Sequence, residues 1–116
     1  MDGSLPCNIW QGNFPDGSDA GWVPGPQTAR SFRPNDYGLY NVAGNVWEWC
    51  ADFFSLHYHK VTDLHNPAFT RDTGFRSLRG GSFLCDASYC NRYRVAARNS
   101  GTPDSTASNC GFRVVQ

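Results

Sequence analysis

Cys85 and Cys90 stand five residues apart, between a Gly-Gly-Ser turn (Gly80, Gly81, Ser82) and a segment that holds Arg92, Arg94 and Arg98. Two thiolates held close can grip a soft monovalent metal such as Cu(I), close a disulfide, or trade between those states. The odd interval would send them to opposite faces of a regular strand, so the chain must bend between them. Asp86 to Tyr89 is the segment available for that bend. Given the bend, a structural disulfide, two ordinary thiols and a two-coordinate Cu(I) site all remain open.

Asn41, Gly44, Val46 and Glu48 form a second candidate, at intervals of three, two and two within a glycine-containing turn. An Asn amide, two backbone carbonyls and a Glu carboxylate begin the oxygen shell that a hard cation such as Ca2+ requires. The spacing is not that of an EF-hand loop, and an Asn-capped turn beside an exposed glutamate is the plain alternative. His57 and His59 would share a strand face, yet no Cys or carboxylate at a zinc-site spacing completes the set, so exposed loop histidines are expected. For Arg92, Arg94 and Arg98, internal ion pairs and hydrogen bonds to loop carbonyls are expected rather than phosphate contact.

The elements that must position these residues are short. Glycine and proline are spread along the chain, and no stretch of ten residues keeps apolar positions at helical spacing, so a loop-rich fold without long amphipathic helices is expected. From Asn45 to Phe54 the residues alternate, with Trp47, Trp49, Ala51 and Phe53 on one side, which predicts a half-buried strand. Shorter strands are predicted within Phe75 to Phe83 and Tyr93 to Ala97. A closing strand is predicted at Gly111 to Val115, with Phe112 and Val114 inward. Leu5 to Asn35 reads as coil pinned by Trp10, Phe14, Trp22 and Phe32, and His57 to Arg71 as an irregular loop with a helical turn.

Composition narrows the function classes. A chain of 116 residues is read as one domain, residues 1–116, with one modest core. Charged residues make up 17% and aromatic residues 15%, so the core should be aromatic rather than aliphatic. Ten basic residues balance ten acidic ones, which removes the electrostatic footprint of a nucleic-acid or anionic-membrane binder. No stretch has the apolar length of a membrane span, and the first residues lack the basic and apolar regions of a secretory signal. The compartment is unassigned by this, and cytoplasmic if the chain is bacterial and complete. The five cysteines are odd in number, so at least one thiol lacks an internal disulfide partner.

The cysteine segment resembles the active-site region of the formylglycine-generating enzymes, the sulfatase-modifying factor family. The matching elements are Gly80 to Ser82; Cys85 and Cys90; Arg94, Ala97 and Arg98; Thr102 to Ser105; Ser108 and Asn109; and Gly111 to Arg113. Upstream, Tyr37 to Trp49 (YGLYNVAGNVWEW) and Asn8 to Pro15 (NIWQGNFP) resemble two further signatures of the family, in the same order. The resemblance implies an α+β, C-type-lectin-like sulfatase-modifying-factor fold, loop-rich with short antiparallel strands, of which this chain is the C-terminal part. It implies an oxidase that converts a peptidyl cysteine, as in an unfolded sulfatase, to formylglycine using Cu(I) and O2. Cys85 and Cys90 would be the copper ligands, with Trp47 and Ser82 beside the oxygen site, although a core aromatic and a turn serine are their ordinary roles.

The same resemblance makes Asn41, Gly44, Val46 and Glu48 calcium ligands, and Asn8 and Ile9 part of a further calcium site whose later partner stretch is shortened here to Asp19, Ala20, Gly21 and Trp22. Val95 and Val114 stand where the family often has cysteine, while Cys50 and Cys110 stand where none is expected, so no disulfide scheme carries over. A non-catalytic C-type-lectin-like binding module on the same scaffold is the competing reading. Under either, an oligomer or a second chain supplying the missing part of the domain is expected as a partner.

Overall fold

The computed structural model describes residues 6–19, 21–57, 68–86, 92–94 and 96–114. Among them are four strands and no helix: β1 (Trp47–Phe53), β2 (Arg76–Arg79), β3 (Arg98–Gly101) and β4 (Cys110–Gly111). They form one sheet in the order β3-β2-β1-β4. β1 and β2 run antiparallel with Trp49 opposite Leu78, β2 and β3 antiparallel with Leu78 opposite Asn99, and β1 and β4 parallel with Trp47 opposite Cys110. None of the described helices is long and apolar enough to cross a membrane, there being none at all in those residues.

The alternation in β1 places Trp47 at 6% exposure and Trp49 against the same apolar cluster. It breaks at Ala51, which is exposed, because the register with β2 shifts between Trp49 and Phe53. A bulge of this kind turns the later side chains off the shared face. β2 falls inside Phe75 to Phe83 and ends where Gly80 and Gly81 take φ of 97° and 72°, a region that favours glycine.

Two expectations are corrected. The strand predicted at Tyr93 to Ala97 lies instead at Arg98–Gly101. Ala97 N–H donates to Arg94 O at 3.0 Å, closing a turn, and Tyr93 packs from outside the sheet onto the cluster below β1 and β2. The closing strand stops at Gly111, and Phe112 and Val114, predicted inward, are 76% and 85% exposed. Arg113 between them is exposed as well, and its guanidinium turns to Glu48 and to Tyr40 O. Most of the predicted loop at His57 to Arg71 lies outside the described residues.

The core is aromatic and divided. Trp10, Trp22 and Phe83 form one cluster, with Trp10 edge-on to Trp22 at 5.2 Å and to Phe14 at 5.0 Å. Trp47, Leu78 and Cys85 form the other, covered by Trp49, Tyr93 and Cys110. Edge-to-face ring pairs of this kind add about 1 kcal/mol beyond the area they bury. The long coil before β1 is therefore anchored by tryptophans, as its composition suggested. It is also stitched by a buried polar network. Asn8, fully buried, donates through Nδ2 to Gly25 O and Asn45 Oδ1 and accepts at Oδ1 from Trp22 Nε1.

Candidate functional site

The Gly80–Gly81 turn delivers Ser82 and Cys85 beneath β1. A Cβ at Gly80 would stand 2.9 Å from Val42 O, and one at Gly81 would stand 2.8 Å from Tyr93 Cα, so both glycines are required by close approach of backbone. The turn closes on itself, with Cys85 N–H donating to Ser82 O at 3.0 Å and Ser82 N–H donating to Cys85 Sγ at 3.4 Å. The N–H thus rests on the sulfur, the atom through which a cysteine binds metal or attacks a disulfide. Cys85 is 1% exposed and shares its cluster with the Trp47 indole.

Ser82 is fully buried, and its Oγ accepts from Leu84 N–H and from Asn109 Nδ2, both at 3.2 Å. With two donors on its oxygen, its own O–H is left to donate. The same Asn109 accepts at its backbone oxygen from Trp47 N–H at 2.7 Å. One residue thus joins the serine, the β1 tryptophan and, through the turn, Cys85. Asn109 was visible in the sequence only as part of a Ser-Asn motif; nothing local assigned it this bridging place.

The structure brings together Trp47, Ser82 and Cys85. Cys90 lies outside the described residues, as do Tyr89 and His59, and so does all but Asp86 of the bend predicted between the two cysteines. A buried sulfur with an N–H on it and indole around it suits a soft metal such as Cu(I) and keeps water away. Among the described residues no group of three His, Cys, Asp or Glu side chains gathers to hold an ion.

Three further thiols are described. Cys7, Cys50 and Cys110 are free, and burial pushes each thiol up from its ordinary value of 9.0. For Cys50 the burial effect is joined by Asp52 and Glu48, against the opposing pull of Arg79 and Arg98. All three stay protonated and weakly reactive at neutral pH.

Asn41, Val46 and Glu48 line one cleft of about 330 Å³, together with Leu39, Phe112 and Arg113. Gly44 is buried outside that wall, its N–H donating to Gly80 O at 2.7 Å. Asn41, at φ 53°, donates through Nδ2 to Ala29 O, while its Oδ1 is buried with no hydrogen-bond donor. An orphaned amide oxygen beside a carboxylate fits a hard, oxygen-ligated cation. Glu48 meanwhile holds Arg113 through both carboxylate oxygens, Nε on Oε1 and Nη2 at 3.1 Å from Oε2, so a cation here would share the carboxylate with a guanidinium.

At Asn8 and Ile9 the oxygens of Asn8 already take part in protein hydrogen bonds. Asn8 Oδ1 accepts from Trp22 Nε1, its backbone oxygen accepts from Asn45 N–H at 2.7 Å, and Asp19 is exposed. Asn8 is a structural crosslink between loops. Of the arginines, Arg98 donates to Ser55 O at 2.7 Å and lies over the Phe54 ring, and Arg92 donates to Asn99 Oδ1. Both serve the sheet rather than a ligand.

Comparison with known proteins accords with this arrangement. The family model described as the sulfatase-modifying factor enzyme 1-like domain matches residues 1–116. The chain is 53% identical over 110 residues to a formylglycine-generating enzyme of Streptomyces coelicolor, covering 92% of this chain and 34% of that protein. It is 55% identical over 115 residues to a formylglycine-generating enzyme of Thermomonospora curvata, covering 92% and 37%. An inactive Cα-formylglycine-generating enzyme 2 of Bos taurus is 40% identical over 110 residues, 91% of this chain and 31% of that one. Among solved structures, Treponema denticola variable protein 1 superposes with a TM-score of 0.62 at 31% identity, over 90% of this chain and 34% of its own. The chain spans about a third of the length of these relatives. Its fold is the loop-rich, C-type-lectin-like sulfatase-modifying-factor fold, and the chain belongs to the sulfatase-modifying factor family.

Proposed function

We propose that this chain carries the thiolate side of a formylglycine-generating oxidase, which converts the Cβ of a cysteine in a peptide or unfolded sulfatase to an aldehyde with Cu(I) and O2. The observation that carries the reading is the junction of Cys85, Ser82 and Trp47, a 1% exposed sulfur between a backbone N–H and an indole. Cys85 and Cys90 would hold the copper, which supplies the activation of dioxygen when bound.

The chain's own groups have separate tasks. Cys85 offers a soft donor, with Ser82 N–H hydrogen-bonded to its sulfur. Trp47 and Tyr93 exclude water from the sulfur, which strengthens every polar interaction made there. Ser82, with its oxygen occupied by Leu84 and Asn109, presents a hydroxyl proton to reduced oxygen species. Calcium at Asn41, Val46 and Glu48, with the Gly44 carbonyl, would act as a structural tie away from the chemistry. The domain reading follows suit: residues 1–116 form the C-terminal part of a longer family domain.

The test is to load the reduced chain with Cu(I) and incubate it under air with a peptide containing Cys-x-Pro-x-Arg, following the aldehyde by mass. Aldehyde that disappears in Cys85→Ser and in Cys90→Ser supports the oxidase. Absence of product together with weak copper uptake by the intact chain rejects it. That second outcome favours a non-catalytic binding module, a reading supported by the 40% identity to relatives named inactive and by the one-third span.

A further inference from the structure

Arg113 gathers oxygens around its guanidinium. Its Nη2 donates to Tyr40 O at 2.7 Å, to Asn41 O at 3.4 Å and to Glu48 Oε2 at 3.1 Å, and its Nε rests on Glu48 Oε1. The pair is set into the molecule, for the Glu48 side chain is only 18% exposed and both residues line the cleft of about 330 Å³. Arg30 lines that cleft too, but its guanidinium lies over the Tyr40 ring, 5.5 Å from the centroid.

Of the oxygen ligands assigned to a cation here, Glu48 alone carries charge, since the others are the Asn41 amide and the carbonyls of Gly44 and Val46. The affinity of such a site follows the number of charged ligands. A guanidinium on both carboxylate oxygens cancels that one charge. An ion that takes both oxygens must displace the arginine, and an ion that shares them meets a like charge in a partly buried place, where screening is weak. The arginine nonetheless fits the cleft incompletely. Its planar fork aims N–H bonds in fixed directions, and Asn41 Oδ1 stays buried with no donor, whereas a spherical ion accepts oxygens from any side.

We propose that Arg113 is a tethered competitor of Ca2+, which holds the one charged ligand of the cleft in the metal-free chain and so sets how tightly the ion binds. The inference rests on the calcium reading of this cleft and is independent of copper and of turnover. It fixes a sign. Removing a residue that only braced the ligand loop weakens the ion's binding, while removing a competitor strengthens it.

The test is calorimetric titration of the 116-residue chain with Ca2+, after EDTA treatment and without copper, comparing the parent with Arg113→Met, Arg113→Lys and Arg30→Met. Arg113→Met, similar in length and uncharged, should bind Ca2+ at least about tenfold more tightly than the parent, because a like charge has left the shared carboxylate. Arg113→Lys should fall between the two, since an ammonium keeps the charge but cannot hold both carboxylate oxygens in a fork. It carries the test if Arg113→Met folds poorly. Arg30→Met removes an equal charge without touching Glu48 and should change affinity by no more than about threefold. Binding equal to or weaker than the parent's in the Arg113 variants makes the arginine a brace and overturns the proposal. An equal gain in Arg30→Met overturns it as well, by reducing the effect to net charge. Binding by Arg113→Met with none by the parent keeps the proposal and rejects calcium as a ligand of the native chain, and no binding by any of the four removes both.

Discussion

Replacing Asn45 by alanine should destabilise the chain by about 4 kcal/mol, a large share of the ~5–15 kcal/mol that holds a domain of this size together. Asn45 is 7% exposed. Its Oδ1 accepts from Asn8 Nδ2 at 3.0 Å and from Gln27 N–H at 2.8 Å, and its Nδ2 donates to Gln27 O at 3.1 Å. The two groups of Gln27 lie near the surface and can regain water, so their loss costs about 0.5–1.5 kcal/mol each. Asn8 is fully buried, and its freed N–H cannot reach solvent, a penalty of about 1–3 kcal/mol. Backbone conformation adds to this. Asn45 sits at φ 68°, where alanine costs about 1 kcal/mol more than asparagine or glycine. Asn45→Gly should therefore be milder than Asn45→Ala by about 1 kcal/mol, although it loses the same side-chain bonds. Urea unfolding followed by tryptophan emission gives both values. The reasoning is refuted if Asn45→Ala falls within 1 kcal/mol of the parent, or if Asn8→Ala and Asn45→Ala prove additive, since a shared hydrogen bond demands coupling.

Gly81→Ala should cost about 2–4 kcal/mol, because its Cβ would meet the Tyr93 backbone at 2.8 Å from a φ of 72°. Displacing Tyr93 should also speed alkylation of Cys85, and a variant with unchanged melting and unchanged alkylation contradicts the packing described. Cys7, Cys50 and Cys110 make stability fall in alkali. Their folded values are raised above the ordinary 9.0, so the native state keeps protons that the unfolded chain releases, and stability is full below about pH 8 and declines as pH rises through 9 and beyond. Urea midpoints at pH 7, 8, 9 and 10 give the curve, which should flatten in Cys50→Ser; a rise in stability above pH 9 would falsify the assignment. Calcium at 100 times its dissociation constant should add about 2.7 kcal/mol, reversed by EDTA. Asn41→Gly, which keeps the positive φ and removes the orphaned oxygen, should lose that response in a thermal-shift assay. A response equal to the parent's would move the ion elsewhere.

What the sequence discloses is local, and what it withholds is pairing at long range. The alternation around Trp47 and the Gly80–Gly81 break are written in neighbouring residues, and β1 and the end of β2 lie where those residues put them. Phe112 and Val114 show the limit of that reading. Period two says that they share a strand face, but the strand ends at Gly111 and residues 112–114 are all exposed, the segment being tied back by Arg113 to Glu48, sixty-five residues away, and to the Tyr40 carbonyl. β3 is a similar case. Arg-Asn-Ser-Gly has little intrinsic preference for a strand, whereas Tyr93 to Ala97 has more. The ladder with β2 selects the former because Gly101 leaves room for Trp49, whose Cη2 would stand 2.8 Å from any Cβ there.

Asn8 and Asn109 carry the same lesson to the candidate site. The resemblance marks Asn8 as an ion ligand, and the structure gives its amide a further part, donating to Gly25 O and Asn45 Oδ1 and accepting from Trp22 Nε1, bonds that tie three loops together and that no local sequence pattern announces. Asn109 likewise goes from an unremarked motif member to the residue that holds both Ser82 Oγ and Trp47 N–H. If the oxidase reading is right, Asn109→Asp should disturb it sharply, since the carboxylate can no longer donate to Ser82. The serine would then turn its own proton toward position 109 and away from the sulfur. Turnover should fall by about tenfold to a hundredfold, the range for one misdirected hydrogen bond to reacting oxygen, while copper uptake at Cys85 stays near the parent's. Equal losses of copper and of turnover would instead make Asn109 a packing residue, because a serine that only braces the turn has no orientation to lose.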